Sequence, residues 1–215
     1  MRVQAAPGNL GRGLARLREI AASLTLQPAA PAFYFLRHGQ TARNALRIFQ
    51  SPDEPLDPIG RGQAVDAAGV LASEALAKIA CSDTLRTRET AALVAARVGV
   101  EPVPVAALRE RNFGALIGTS SVDLDWDCAP HNGETLGIFV QRTRDALAHA
   151  LADTAPVLVI AHGGTLHVLA ALLGIPVTPS LLANAQPLRF ERQTQGWSAI
   201  ALGAARLAPV SANLA

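Results

Sequence analysis

Phe33-Tyr34-Phe35-Leu36-Arg37-His38-Gly39-Gln40-Thr41 holds an apolar run followed directly by an arginine, a histidine and a glycine. Four consecutive apolar side chains, too few for a helix of ordinary length, read as a strand buried on both faces, the kind found in a parallel sheet. A histidine at the end of such a strand is suited to receive a phosphoryl group when it is flanked by an arginine and by a small residue that lets an anion approach the backbone.

Outward from this stretch, Lys78–Ser82 and Val157–Ala161 are strands of the same kind as Ala32–Leu36. Helical segments are predicted between and after them, over Thr41–Ile48, Arg61–Leu76, Thr84–Val98, Thr135–Ala152 and Thr165–Leu173. Leu188–Arg192 and Trp197–Leu202, separated by Thr194-Gln195-Gly196, read as a closing pair of strands with a turn between them. This alternation predicts a three-layer α/β/α sandwich with a mainly parallel sheet. Chemistry in such sheets collects outside the carboxyl ends of the strands, where helix N-termini offer unpaired N–H groups to an anion. The first strand ends in Arg37-His38-Gly39, the second in Cys81-Ser82-Asp83-Thr84-Leu85-Arg86 and the third in Ala161-His162-Gly163-Gly164-Thr165. Two histidines and two arginines are therefore expected at one edge.

A chain of 215 residues that is 50% hydrophobic can fill one ample core. The domain is placed at 32–215, after an extension and linker at 1–31. There Arg12, Arg16 and Arg18 alternate with Leu10, Leu14, Leu17 and Ile20, and Gln27-Pro28-Ala29-Ala30-Pro31 then breaks the pattern. Arginine in excess over acid is also a mark of a removable targeting peptide, but Glu19 interrupts the segment and the apolar block of a secretory signal is missing. The expectation is a helix that docks on the domain or on a second copy in a homodimer. Net charge is only +2, and Lys78 is the one lysine, so the positive charge is nearly all guanidinium. That group forks onto phosphate or carboxylate oxygens, although a compositional bias toward arginine would look the same. Without a basic stripe interleaved with aromatics, nucleic acid is not an expected partner. Cys81 and Cys128 form no paired motif, which favours a reducing cytoplasm. The run Pro156–Ala161 stops at His162 and the next is broken by Gly174 and Pro176, so no membrane span is expected.

The ordered series of motifs resembles the histidine phosphatase superfamily, the phosphoglycerate-mutase-like group. The likeness runs from about Ala32 to Leu202. It begins with Arg37-His38-Gly39-Gln40-Thr41 and Asn44, then Arg47, Gln50 and Asp53-Glu54-Pro55-Leu56, then Gly60 with Gln63-Ala64. Ser82-Asp83-Thr84-Leu85-Arg86 with Thr90-Ala91 follows, then Leu108-Arg109-Glu110-Arg111-Asn112-Phe113-Gly114, Gly133-Glu134-Thr135 and Ala161-His162-Gly163-Gly164.

A phosphomonoester dianion must be neutralised, held in line with the attacking atom, and given a proton on its leaving oxygen. Arg37, Arg86 and a protonated or hydrogen-bonding His162, with Gly163 beside it, are expected around the non-bridging oxygens. The resemblance adds Asn44 as a further donor. His38 is expected to attack through a neutral ring nitrogen, its other nitrogen protonated and held by a backbone carbonyl. The resulting phosphohistidine can pass its phosphoryl group to water. Glu110 matches the family's acid/base position, where the charge of bound phosphate favours the protonated carboxyl.

Each of these residues also has an ordinary use. Arg37 and Arg86 could tie down carboxylates, and Glu110 could simply pair with Arg109 or Arg111. Asp83 is a rival acid, but its position suits a cap for the helix starting near Thr84, and Glu134 and Thr135 suit caps for the next one. His131 and His149 are expected at the surface and His167 near the pocket rim. No HxxxH or HxH spacing is present and the arginines would repel a cation, so neither metal nor cofactor is expected. The family's acidic residue after Phe113-Gly114 is replaced by Leu116-Ile117-Gly118, and Gly118–Gly133 is shorter than in phosphoglycerate mutases. A thin lid predicts an open site and favours hydrolysis over mutase transfer. The expected function is therefore a phosphatase for a small-molecule phosphomonoester or a phosphoprotein. Phosphoglycerate-mutase-type transfer and a non-catalytic phosphate-binding regulator are the alternatives.

Overall fold

The computed structural model describes residues 8–122 and 125–203. The expected extension and domain therefore lie outside the described residues at 1–7 and 204–215, and the lid segment does so at 123–124. The strands are β1 (Ala32–Arg37), β2 (Lys78–Ser82), β3 (Pro102–Val105), β4 (Val157–Ala161), β5 (Pro187–Arg192) and β6 (Trp197–Ala201). They form one sheet in the order β3-β2-β4-β1-β5-β6. β1, β2, β3 and β4 run parallel, while β5 and β6 close the sheet antiparallel. The helices are α1 (Gly8–Ala22), α2 (Ala42–Ala45), α3 (Pro58–Leu71), α4 (Leu85–Val98), α5 (Leu136–Ala150) and α6 (Gly163–Leu172).

The period of two along a strand splits the buried runs between two cores. Phe33, Phe35, Val157, Val159 and Ala161 pack under Leu147, Leu166 and Leu169 of α5 and α6. Tyr34, Leu36, Leu158 and Ile160 face Ala67, Leu71, Ala91 and Val94 of α3 and α4. The expected α/β/α sandwich is the observed one. Because β1, β2 and β4 run parallel, their carboxyl ends open on the same edge of the sheet.

Several local expectations need correction. Prolines at 102 and 104 hid β3; it lies at the edge of the sheet, where a missing N–H need not break a ladder. The helix expected over Thr41–Ile48 ends at Ala45, and Arg47 then turns left-handed at φ 54°. The helix expected from Arg61 starts at Pro58, because the Asp57 carboxylate accepts the Gly60 N–H at 2.7 Å and proline suits the first helical position. Among the described residues no helix is long and apolar enough to cross a membrane.

Gly39 was expected to make room for an anion; what it makes room for is α3. A Cβ on Gly39 would lie 2.3 Å from the Gly60 carbonyl oxygen, and one on Gly60 would lie 2.0 Å from that of Gln40. These are backbone overlaps that no rotamer relieves. Gly60→Ala should cost about 2–3 kcal/mol, a Tm drop of roughly 5–10 °C at this chain length. Thermal unfolding followed by circular dichroism checks this against Gly62→Ala, where an added Cβ meets nothing within 4 Å.

Candidate active site

Arg37 is the last residue of β1, and the ladder continues one step beyond it, the His38 N–H donating to the Ala161 carbonyl of β4 at 3.0 Å. The His38 carbonyl in turn accepts from Asn184 Nδ2 at 3.0 Å. The backbone is thus held on both sides of the ring. His38 Nδ1 lies 2.7 Å from the Gly39 carbonyl oxygen, which accepts only a hydrogen, so the proton is on Nδ1 and the Nε2 lone pair is available. Burial, then the charges of Arg86 and Arg37, hold this imidazole well below its ordinary value of 6.5. It is neutral at neutral pH.

His162 stands at the residue before α6 without a side-chain bond to the helix and faces His38, with ring centroids 5.3 Å apart and planes at 63°. Its Nδ1 lies 3.5 Å from Arg86 Nη2, which can only donate, so Nδ1 accepts and Nε2–H donates to Ser82 Oγ at 2.9 Å. Burial and the Arg86 guanidinium also depress this imidazole well below 6.5. Of the two states expected for His162, the neutral one is favoured.

Arg37 donates from Nη1 to the Leu182 carbonyl at 2.6 Å, and Arg86 from Nη1 to that of Ser51 at 2.9 Å. Neither is tied down by a carboxylate. The Nε atoms of both are buried and find no acceptor within the protein. Burial lowers both guanidinium groups, Arg86 to about 10, and both remain cationic at neutral pH. Two buried cations with unspent donors make a cradle for an anion.

Glu110 follows the 3-10 turn at Ala106–Leu108 and reaches the N-terminus of α6. Its Oε1 accepts from the Arg111 N–H at 2.9 Å and its Oε2 from the Gly164 N–H at 2.8 Å. A Cβ on Gly164 would lie 2.1 Å from Oε1, so this glycine is what lets the carboxylate reach the pocket. The ordinary pairing of Glu110 with Arg109 or Arg111 does not occur. Arg109 instead forks onto Asp83 at 2.6 and 2.7 Å. Arg111 donates to the carbonyls of Trp126, Cys128 and Glu134. Asp83 is therefore not the cap of α4; Thr84 occupies that position without a side-chain hydrogen bond. Thr135 caps α5 as expected, whereas Glu134 binds Arg142 and the Asn112 N–H.

One cavity of about 610 Å³ is lined by Arg37, His38, Asn44, Arg86, Glu110, His162 and Gly163. It brings all the candidate residues together. Its far wall is aromatic: Phe113 stands 4.4 Å from Phe49 and 6.4 Å from Trp126, centroid to centroid. The short Gly118–Gly133 segment is therefore not a bare gap, because it sets Trp126 into that wall. His167 is on the rim, its ring 5.9 Å from that of Trp126, while His131 and His149 are exposed. Sequence reasoning missed Leu182, Asn184 and Ser51, which act largely through backbone carbonyls or on them and so leave no motif. Gly164 was visible only as part of the second histidine motif. Among the described residues no group of three or more histidine, cysteine, aspartate or glutamate side chains could hold a metal ion.

The chain belongs to the histidine phosphatase superfamily. The profile of that superfamily, branch 1, matches residues 33–204. Agropine synthesis reductase of Rhizobium rhizogenes is 34% identical over 190 residues, covering 80% of this chain but only 43% of that protein. The chain thus spans less than half of that relative. Glucosyl-3-phosphoglycerate phosphatase of Mycolicibacterium vanbaalenii is 36% identical over 170 residues, covering 66% of this chain and 74% of that protein. A solved mycobacterial glucosyl-3-phosphoglycerate phosphatase in complex with VO3 superposes with TM-score 0.67 at 28% identity, covering 79% of this chain and 97% of that one. A probable phosphoglycerate mutase of Erwinia tasmaniensis is 30% identical, covering 77% of this chain and 87% of that protein.

For this histidine phosphatase superfamily member the buried imidazoles carry a cost in acid. His38 and His162 lie well below 6.5, and burial takes His167 down to about 4. The unfolded chain binds these protons near pH 6.5 and the folded chain does not, so stability falls as pH drops from that value toward the folded ones. Each imidazole contributes up to about 1.4 kcal/mol per pH unit within that window. Urea midpoints should therefore drop between about pH 7 and pH 5. His167→Asn should flatten that slope; an unchanged slope would contradict the buried neutral state of His167.

Proposed function

We propose that the protein is a phosphomonoester hydrolase working through a phosphohistidine on His38. The observation that carries this reading is the neutral, carbonyl-anchored ring of His38, set in a pocket with two buried guanidinium groups whose Nε donors are unspent. Arg37 and Arg86, with Asn44 and Gly163, receive the phosphoryl oxygens. His38 Nε2 attacks phosphorus, the P–O bond to the leaving group breaks, and the departing oxygen takes a proton from Glu110. Each Glu110 oxygen accepts one N–H and keeps a second lone-pair site that can carry that proton. Glu110 then takes a proton from water as the water attacks the phosphohistidine, releasing inorganic phosphate and restoring both residues.

The relatives named as phosphatases support this reading, in which the substrate is a small-molecule phosphomonoester or a phosphoprotein. The likeness to a probable mutase supports a second one, in which the phosphoryl group returns to a bound acceptor. Incubation with p-nitrophenyl phosphate and with 3-phosphoglycerate separates them. Hydrolysis predicts inorganic phosphate from both, whereas mutase transfer predicts 2-phosphoglycerate from the second. Absence of both products, with phosphate still bound, would leave only a phosphate-binding protein.

A further inference from the structure

Helix α1 lies outside the segment shared with the superfamily, yet it touches the wall of the pocket. Its inner face buries Leu17 and Ala21 against Phe139 and Val140 of α5 and Val168 of α6, so the helix is anchored on the domain itself. One turn before Leu17, Gly13 lies against the backbone of the lid. A Cβ there would meet Trp126 Cβ at 2.3 Å and Trp126 Cα and N at 2.9 Å. Trp126 is also held by Arg111, which donates to its carbonyl, and its ring stands in T-shaped contact with those of Phe113 and His167. Phe113, Trp126 and His167 all line the cavity that contains His38.

We propose that α1 is a working part of the active-site wall: through Gly13 it sets the position of Trp126 and so determines which leaving groups fit beside the phosphoryl site. Gly13 is a positioning residue and touches no substrate. An added Cβ would meet Cβ, Cα and N of Trp126, atoms that no rotamer moves, so a side chain at 13 must displace either a helix seated on two others or Trp126 itself. The phosphoryl cradle is built on β1, β2, α4 and α6 and does not share that contact. The effect should therefore fall on the leaving group and spare the phosphate. The inferred substrate has an apolar or flat body next to its phosphate, matched by Phe49, Phe113 and Trp126.

This inference rests on the phosphatase reading, and the test separates the two. Naphthyl phosphate serves as the bulky substrate and inorganic phosphate as a competitive inhibitor that occupies the cradle alone. Gly13→Ala should raise KM for naphthyl phosphate roughly tenfold, the scale of a misplaced apolar contact, with the inhibition constant of phosphate unchanged. In a Trp197→Phe background Trp126 is the only tryptophan, and its emission should shift on Gly13→Ala. Unchanged KM and emission would overturn the proposal. So would a parallel loss of naphthyl phosphate and phosphate affinity, which reports general loosening. Should the unaltered protein hydrolyse no monoester, the phosphatase reading fails, while quenching of Trp126 by naphthyl phosphate, compared with inorganic phosphate, still tests the wall. If Gly13→Ala does not fold, Leu17→Ala loosens the same helix and should give the same selective loss.

Discussion

His38→Ala should lower the turnover of p-nitrophenyl phosphate by at least about 10³-fold while inorganic phosphate still binds. The two activities separate because different atoms serve them. Arg37 and Arg86 are held by the carbonyls of Leu182 and Ser51, so the cradle does not depend on the imidazole of His38. Only the proposed nucleophile, His38 Nε2, is lost. Quenching the unaltered enzyme during turnover should trap phosphate on protein in an acid-labile, base-stable bond, the signature of a P–N linkage. Its absence from His38→Ala is required. Turnover surviving within tenfold would assign the nucleophile elsewhere.

The effect of replacing Glu110, the proposed proton donor, should depend on the leaving group. Glu110→Gln keeps the shape of the side chain and should cost on the order of 10²–10⁴ in rate on alkyl phosphates, whose alkoxide must be protonated as it departs. On p-nitrophenyl phosphate, whose phenolate leaves readily, the loss should be much smaller. Equal losses on both would remove Glu110 from the acid role. Gly164→Ala should reproduce the same selectivity, since its Cβ would occupy the place of Oε1 at 2.1 Å and push the carboxylate off the N-terminus of α6. Glu110 and the glycine that makes room for it are far apart in sequence. Measuring both variants on both ester classes tests them as one unit.

Much of this was legible beforehand because buried strands leave a strong local mark. The runs at β1, β2 and β4 are short and apolar, and each is closed or closely followed by residues of the pocket, Arg37 at the end of β1, Thr84 and Arg86 just past β2 and His162 just past β4. β3 was not legible, because its two prolines argue against a strand unless the strand is known to be an edge. The partner of Asp83 was misjudged for a similar reason. Proximity to a helix start suggests a cap, but Arg109 comes to it across the fold and offers two charge-assisted bonds where the cap would offer one to a neutral N–H. The carbonyls that aim Arg37 and Arg86 belong to loops without a side-chain signature.

The order of residues along the chain by itself determined the α/β architecture and which side chains are candidates for the site, since strand burial and side-chain chemistry are local properties written in residue type. The tertiary structure alone decided that His38 carries its proton on Nδ1, that His162 is neutral, that Gly164 makes room for Glu110 and that Gly39 answers to Gly60. These depend on burial and on distances between segments far apart in the chain. Desolvation and close packing exist only once those segments meet.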